Sequence, residues 1–133
     1  MAFADSGVRT VMEGHLPQQV TLAAACEPGD LLGYSSGWKL ALATVGTAIP
    51  ARLVAAQKGA VGDRIGAFAI AKVNGFTGAT VGAAVYLAEG TASGDYTDTA
   101  PSTTNDVIQP VGYMVSATEA MVNLAVPMNT LSA

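Results

Sequence analysis

Residues 81–124 decide the fold, and they read VGAAVYLAEGTASGDYTDTAPSTTNDVIQPVGYMVSATEAMVNL. The segment begins at residues 82–87 with a short run that includes a β-branched and an aromatic side chain, which predicts a strand. Residues 89–106 consist largely of Gly, Ser, Thr, Asp and Asn, which are residues of turns, so we expect a long solvent-exposed loop there. Two strand-length runs, at residues 111–115 and 121–124, predict a closing hairpin. This order of elements indicates an all-β fold.

The chain before this segment shows the same signal. Short runs suited to strands are separated by turn phrases, of which Pro28-Gly29-Asp30 and Val61-Gly62-Asp63 are the clearest. Many short strands with turns between them are typical of a β-barrel or β-sandwich. We therefore predict one β-barrel domain at residues 18–133, a small barrel or tulip-like body of short strands.

Residues 1–17 are different, because their apolar side chains follow neither the helical nor the strand period. An apolar segment without a pattern of its own is usually attached to something else. We predict an extended N-terminal arm that is loose in the free protein and contacts a partner. The five residues expected to make that contact are Phe3, Val8, Val11, Met12 and Leu16.

The clearest strand alternation lies at residues 65–73. Phe68 and Ile70 are on one face of this strand, and a second set of apolar residues is on the other. A strand with apolar or small residues on both faces is buried on both faces or lies at a subunit contact. The residues of the second face are therefore a possible oligomer contact: Ile65, Ala67, Ala69, Ala71 and Val73.

The composition favours an assembly component. Charged residues make up 12% of the chain, whereas about a quarter is usual for a globular domain. A soluble domain with so little charge usually has part of its surface covered by a partner. No apolar run approaches the ~18 residues of a membrane-spanning helix, so we expect no membrane partner.

The charge of the chain limits which partners it can bind, and its cysteine content and N-terminal sequence indicate the compartment in which it is made. The net charge is −4, and the six Lys and Arg residues are scattered, whereas a nucleic-acid surface needs clustered cations. Direct nucleic-acid binding is therefore not expected. Cys26 is the only cysteine, so no intramolecular disulfide can form, and the N-terminus lacks the pattern of a signal peptide. We expect synthesis and assembly in a reducing cytoplasm.

No set of residues suggests catalysis or metal binding. His15 is the only histidine, and together with Cys26 it supplies too few ligands for zinc. Cys26 has no neighbouring cation that would lower its pKa, so we expect it to pack as a small apolar residue. Asp95, Asp98 and Asp106 do not follow calcium-loop spacing, which favours a solvated loop over a weak calcium site. We predict a non-enzymatic protein without a metal or another cofactor.

The aromatic residues leave one alternative open. Trp38 follows a hairpin loop and Tyr96 lies in the polar segment, so the two are candidates for a platform that binds carbohydrate. The tyrosines within strand-like runs are more simply explained as residues that cover the core with the hydroxyl at its rim. A carbohydrate-binding module on a virion surface or tail is therefore the alternative function.

Several short phrases together resemble a known family. They are Gly82-Ala83-Ala84-Val85-Tyr86-Leu87, Thr99-Ala100-Pro101, Val111-Gly112-Tyr113, Ala117-Thr118 and Asn123-Leu124. Their order is similar to the C-terminal half of the head-decoration, or capsid cement, proteins of tailed phages. The likeness covers about the last third of the chain, and the earlier phrase Glu27-Pro28-Gly29-Asp30-Leu31-Leu32 also fits.

The resemblance implies a function for the whole chain. Members of that family have a compact β-barrel body, are usually homotrimers, and bind the outer surface of the phage capsid where subunits of the major capsid protein meet. The N-terminal arm would then lie along the capsid surface. Such a role requires area and shape complementarity at symmetric sites and no reactive group. We therefore expect a structural virion protein, made in the host cytoplasm, that stabilises the head.

Overall fold

The computed structural model describes residues 3–89 and 93–125, and the backbone alone of residues 131–132. Within these ranges the chain is all-β, which confirms the predicted fold class. The strands are β1 (Ala4–Thr21), β2 (Leu31–Tyr34), β3 (Trp38–Leu40), β4 (Leu53–Ala55), β5 (Arg64–Thr77), β6 (Ala84–Leu87), β7 (Tyr96–Thr97), β8 (Val107–Ile108), β9 (Pro110–Met114), β10 (Glu119–Asn123) and β11 (Leu131–Ser132).

The strands form a curled half-barrel sheet with antiparallel neighbours in the order β3-β2-β4-β5-β10-β9-β6-β7. Strand β1 joins this sheet by pairing with β5, and β8 pairs separately with β11. The hairpin predicted at the end of residues 81–124 is present, because β9 and β10 pair directly.

Strand β5 is the branch point of the sheet. Ile70 is paired both with His15 on β1 and with Asn123 on β10, and Phe68 is paired with Val54 on β4. Because a strand has only two edges, β1 occupies one edge of β5 while β4 and β10 share the other. The other strands of the curled sheet continue from β4 through β2 to β3, and from β10 through β9 and β6 to β7.

The alternating face of β5 is buried in the core of its own chain. Ile65, Ala67 and Ala69 pack in one apolar cluster, and Ala71 and Val73 pack in the larger one. The first of the two predicted explanations, burial within the fold, therefore accounts for these residues. The possible oligomer contact at this face is corrected accordingly, since side chains that fill the core of one chain offer no surface to another.

The phrases that carry the family resemblance build adjacent strands. Val85 and Leu87 on β6, Val111 on β9 and Val122 on β10 all contribute to the larger cluster. Between Val111 and Tyr113 the chain has a glycine, Gly112, because a Cβ at this position would collide with the backbone carbonyl of Met121 on β10. The phrases therefore reflect packing requirements of one end of the sheet.

Gln109, between β8 and β9, adds a buried polar link that the sequence does not reveal. Its side chain is fully buried, its Oε1 accepts a hydrogen bond from the Ala51 N–H at 2.7 Å, and its Nε2 donates to the Ala51 carbonyl at 2.9 Å. The amide satisfies both backbone polar groups of one residue, Ala51, as a neighbouring strand would. It holds the segment before β4 against the other branch of the sheet.

The segment predicted to be a loose arm is extended but belongs to the sheet. Strand β1 continues past the predicted boundary at residue 17 to Thr21, and it pairs with β5 along most of its length. Register shifts between Asp5 and Thr10 and between Val11 and Glu13 interrupt the pairing. Because each bulge moves the side chains that follow it to the other face, the period-2 pattern is lost from the sequence although the strand is present.

Candidate functional site: the surface of β1 and the Arg9 hub

Strand β1 carries three exposed apolar side chains. Three of the five residues predicted to contact a partner face solvent: Val8 is 82% exposed, Met12 51% and Leu16 55%. The other two, Phe3 and Val11, pack against the larger core cluster, and the Phe3 ring stacks on Phe76 with the ring centroids 5.7 Å apart. Two of the five predicted contact residues thus pack on the core, and the other three are exposed. We call these three exposed side chains, Val8, Met12 and Leu16, the β1 surface.

The outer edge of β1 is poorly suited to accept another strand. In the part of the chain that the structure describes, β1 pairs only with β5. Its pairing is shifted between Val11 and Glu13, Leu16 has a left-handed backbone with φ of 56°, and the following Pro17 has no N–H to donate. Bulges and proline at an edge discourage edge-to-edge pairing. A partner of this strand would therefore contact its side chains.

A buried arginine fixes the N-terminal part of β1 to the body. The Arg9 side chain is completely buried; its Nη1 donates to Asp30 Oδ1 at 2.6 Å and its Nη2 to Asp5 Oδ2 at 2.6 Å. Its Nη2 also contacts Asp95, and its guanidinium carbon lies 5.0 Å from the centroid of the Tyr96 ring. These five residues form what we call the Arg9 hub. The hub joins the start of β1, the turn before β2 and the segment that enters β7.

The electrostatics of the hub keep Arg9 charged. Burial alone would lower the pKa of Arg9, but hydrogen bonds to Asp5 and Asp95 and the negative charge of Asp5 raise it above its usual value. Burial raises the pKa of Asp30, while hydrogen bonding from the Glu27 backbone N–H and the charge of Arg9 oppose that rise. Within the hub the guanidinium is therefore the single positive charge, and each of the three carboxylates contacts it.

Tyr96 belongs to the core, so the predicted carbohydrate platform of Trp38 and Tyr96 is not formed. Tyr96 is only 3% exposed, its hydroxyl donates to the Gly29 carbonyl at 2.6 Å, and its ring meets Phe76 edge-to-face. Burial raises the pKa of the Tyr96 hydroxyl well above its usual range. Trp38 is half-buried and packs edge-to-face against Tyr34, with the ring centroids 5.5 Å apart.

The polar segment after β6 is anchored, which corrects the expectation of a free exposed loop for its described part. The Gly94 N–H donates to the Ala41 carbonyl at 2.7 Å, and the Gly94 carbonyl accepts from the Leu31 N–H at 3.0 Å. Asp106, at the other end, is almost fully buried, and its Oδ1 accepts from the Val45 N–H at 2.7 Å. Residues 90–92 of the predicted loop lie outside the described residues.

The acidic residues of this segment are not brought together. Asp95 belongs to the Arg9 hub, Asp106 faces Glu89, and Asp98 is exposed and accepts a hydrogen bond from the Thr99 hydroxyl at 3.2 Å. Among the residues that the structure describes, no group of three or more His, Cys, Asp or Glu side chains is placed to hold a metal ion.

Cys26 and His15 have different environments. Cys26 is buried, its thiol donates to the Gln57 carbonyl at 3.6 Å, and burial raises the pKa of the thiol to about 11. Since the thiolate is the nucleophilic form, this cysteine is unreactive. His15 is exposed on β1 beside Glu13, with Nε2 3.8 Å from the nearer carboxylate oxygen.

Glu89 and Asp106 form a carboxyl pair. The hydrogen bond to Asp106 raises the pKa of Glu89, and burial and the Asp106 charge act in the same direction. Glu89 Oε2 is buried and has no hydrogen-bond partner among the described residues. Neither carboxyl forms an ion pair with a cation within the described ranges. A proton on Glu89 therefore lets it donate a hydrogen bond to the Asp106 carboxylate.

This pair predicts a pH dependence of stability. Because the pKa of Glu89 is raised by folding, the folded chain binds a proton that the unfolded chain loses, so stability falls as the pH rises above the ordinary glutamate pKa of about 4.3. Glu89→Gln supplies a neutral donor at every pH. Between pH 4.5 and 8 we expect the thermal midpoint of the wild type to fall as the pH rises. The thermal midpoint of Glu89→Gln should fall over the same range by a few degrees less.

Glu119→Gln is the matched control, because Glu119 lies 3.9 Å from Lys72 rather than beside another carboxyl. Thermal unfolding followed by circular dichroism at several pH values measures all three proteins. The control should keep the wild-type slope above pH 4.5. Parallel curves for Glu89→Gln and the wild type would show that the two carboxyls do not share a proton.

Comparisons of the chain with protein-family models, with curated proteins and with solved structures found no match. None of the described residues belongs to a helix long and apolar enough to cross a membrane.

Proposed function

We propose that this chain is a non-enzymatic structural virion protein that binds the major capsid protein on the outer surface of a phage head and stabilises the head. The observation that carries this proposal is the β1 surface, three exposed apolar side chains on a strand that is already hydrogen-bonded to the body. The low charged fraction of the chain and the resemblance of its C-terminal phrases to decoration proteins support the same function.

The energetics favour a surface of this kind. Val8 is 82% exposed, whereas Met12 and Leu16 are only 51% and 55% exposed. Burying what remains exposed of the three side chains contributes roughly 3–5 kcal/mol, at about 1.5–3 kcal/mol for a side chain that goes from full exposure to full burial. Ordering a flexible arm would cancel much of that gain, but β1 is fixed by β5 and by the Arg9 hub before any partner arrives. A protein that binds only the assembled lattice stabilises that lattice by mass action.

The proposal includes a homotrimer on the capsid. A trimer matches a site of threefold symmetry, where each protomer makes the same contact with the same residues. The interface would involve exposed surface, since the alternating face of β5 fills the core. Light scattering on the free protein and subunit counting on shells by mass measure the oligomeric state, and monomers at both stages would contradict a trimer.

Co-sedimentation with expanded capsid shells tests the function. The wild-type chain should pellet with the shells in a saturable manner. The double variant Met12→Ser/Leu16→Ser should bind at least about tenfold more weakly, because each lost apolar contact reduces the binding free energy by more than 1 kcal/mol. Val61→Ser/Val81→Ser is the matched control, since both valines are exposed in turns outside β1.

The outcomes separate the function from the surface that performs it. Failure of the wild-type chain to bind shells would contradict the proposed function. Binding by the wild type with equal losses in the two double variants would leave the function standing and exclude the β1 surface as the contact.

A further inference from the structure

A groove lies beside the β1 surface at Leu16. Its floor consists of Leu53, Ala69 and Leu124, none more than 7% exposed, and its volume is about 470 Å³. Leu16, Trp38 and Arg52 are among the residues of its rim. The groove therefore offers an aliphatic floor of the size of one or two side chains, bordered by an indole and a guanidinium.

Arg52, at this rim, carries a positive charge that forms no ion pair with a described carboxylate. It is exposed, and within the described ranges it pairs with no carboxylate; its Nη1 donates one long hydrogen bond, 3.3 Å, to the Ala51 carbonyl. Arg9, by contrast, is enclosed by three carboxylates. An arginine fork without a partner fits a carboxylate in a bidentate manner. The net charge of −4 makes such a cation beside an apolar floor distinctive on this chain.

The rim favours a peptide over a sugar. Sugars need several polar groups that converge on one ligand, whereas here the polar side chains Gln18 and Arg52 border a floor that is aliphatic. The Trp38 ring already packs against Tyr34, and Tyr96 is buried elsewhere, so there is no second aromatic platform in the groove. Tryptophan and arginine around a desolvated apolar pocket are the residue types that dominate binding energy at protein interfaces.

We infer that this groove binds a segment of the capsid protein that places one apolar side chain on the floor and an adjacent Asp or Glu carboxylate on Arg52. The inference rests on the proposed function and names the chemistry of the partner segment. Leu16 belongs both to the β1 surface and to the groove rim, so the two make one continuous contact.

Charge reversal at Arg52 tests the inference in the full-length chain with expanded capsid shells. Arg52→Glu should weaken co-sedimentation at least about tenfold, because it replaces an attraction with a repulsion at a partly desolvated site. Arg64→Glu is the matched control: Arg64 is equally an exposed arginine with no ion pair among the described residues, and it does not line the groove. The control should bind within about twofold of the wild type, and both variants should keep the wild-type thermal midpoint.

The results distinguish this inference from the function on which it rests. Shell binding by the wild type with equal affinity for both variants overturns the groove and leaves the function intact, and absence of wild-type binding overturns both. Sedimentation velocity without shells detects a second copy as the occupant, in which case Arg52→Glu changes the oligomeric state and the inference fails. Saturable glycan binding that Trp38→Ala abolishes would also overturn it.

Discussion

Arg9→Met is expected to lower the free energy of unfolding by about 3–5 kcal/mol, the usual effect of removing one partner from a buried charge pair. The substitution keeps an apolar chain in place but removes the only cation of the Arg9 hub. Asp5 and Asp30 are then left as largely buried carboxylates without a positive partner, and Asp95 loses the same contact. Chemical denaturation at pH 7 measures the loss.

Two further variants sharpen this result. Lys72→Met removes a partly exposed ion pair with Glu119, at 3.9 Å, and should cost less than about 1 kcal/mol. Arg9→Lys keeps the charge but not the fork that reaches several carboxylates, so its loss should lie between the other two. An Arg9→Met protein as stable as Lys72→Met would contradict the structural role assigned to the hub.

A chain that lacks residues 2–16 is expected to lose its cooperative thermal transition. The deletion removes the cation of the Arg9 hub and the stacking of Phe3 on Phe76, and it exposes much of one backbone edge of β5. Each of these contributes on the order of one to several kcal/mol, and their sum approaches the 5–15 kcal/mol of a typical domain. Near-ultraviolet circular dichroism during heating reports the transition.

This outcome is the reverse of what the sequence suggests. A loose arm could be removed with the transition nearly unchanged, whereas a paired strand could not. Deletion of Ala2 alone is the control, because it leaves Phe3, the Arg9 hub and the β5 edge in place, and it should unfold as the wild type does. A sharp transition at the wild-type midpoint in the long deletion would restore the arm as a separate element.

The fold class was predictable because its signals are local. The alternation along β5 and the turn phrases before the strands can be read directly from neighbouring residues. The pairing of β1 with β5 could not be predicted, since the bulges of β1 shift its apolar residues from one face to the other. The barrel boundary placed at residue 17 reflects that lost alternation.

The candidate site depends on contacts between distant parts of the chain. Arg9 bonds Asp30 and Asp95, which are 21 and 86 positions away. Asp5 is the one hub carboxylate near Arg9 in the sequence, and a single nearby carboxylate does not distinguish Arg9 from the other scattered cations. Tyr96 lies in a stretch of turn-forming residues and looked exposed, but its hydroxyl reaches Gly29 and its ring covers Phe76. By contrast, the sequence places Met12 and Leu16 outside the predicted core, and the structure exposes both; their contact with a partner stays a prediction.

Electron cryomicroscopy of expanded capsid shells incubated with the wild-type protein tests most directly the proposal that β1 faces the capsid. We expect added density at symmetry-related positions on the outer surface, into which the curled sheet fits with Met12 and Leu16 against the shell. Shells without added density would contradict the function, and a bound sheet with β1 turned towards solvent would contradict the surface assigned to it.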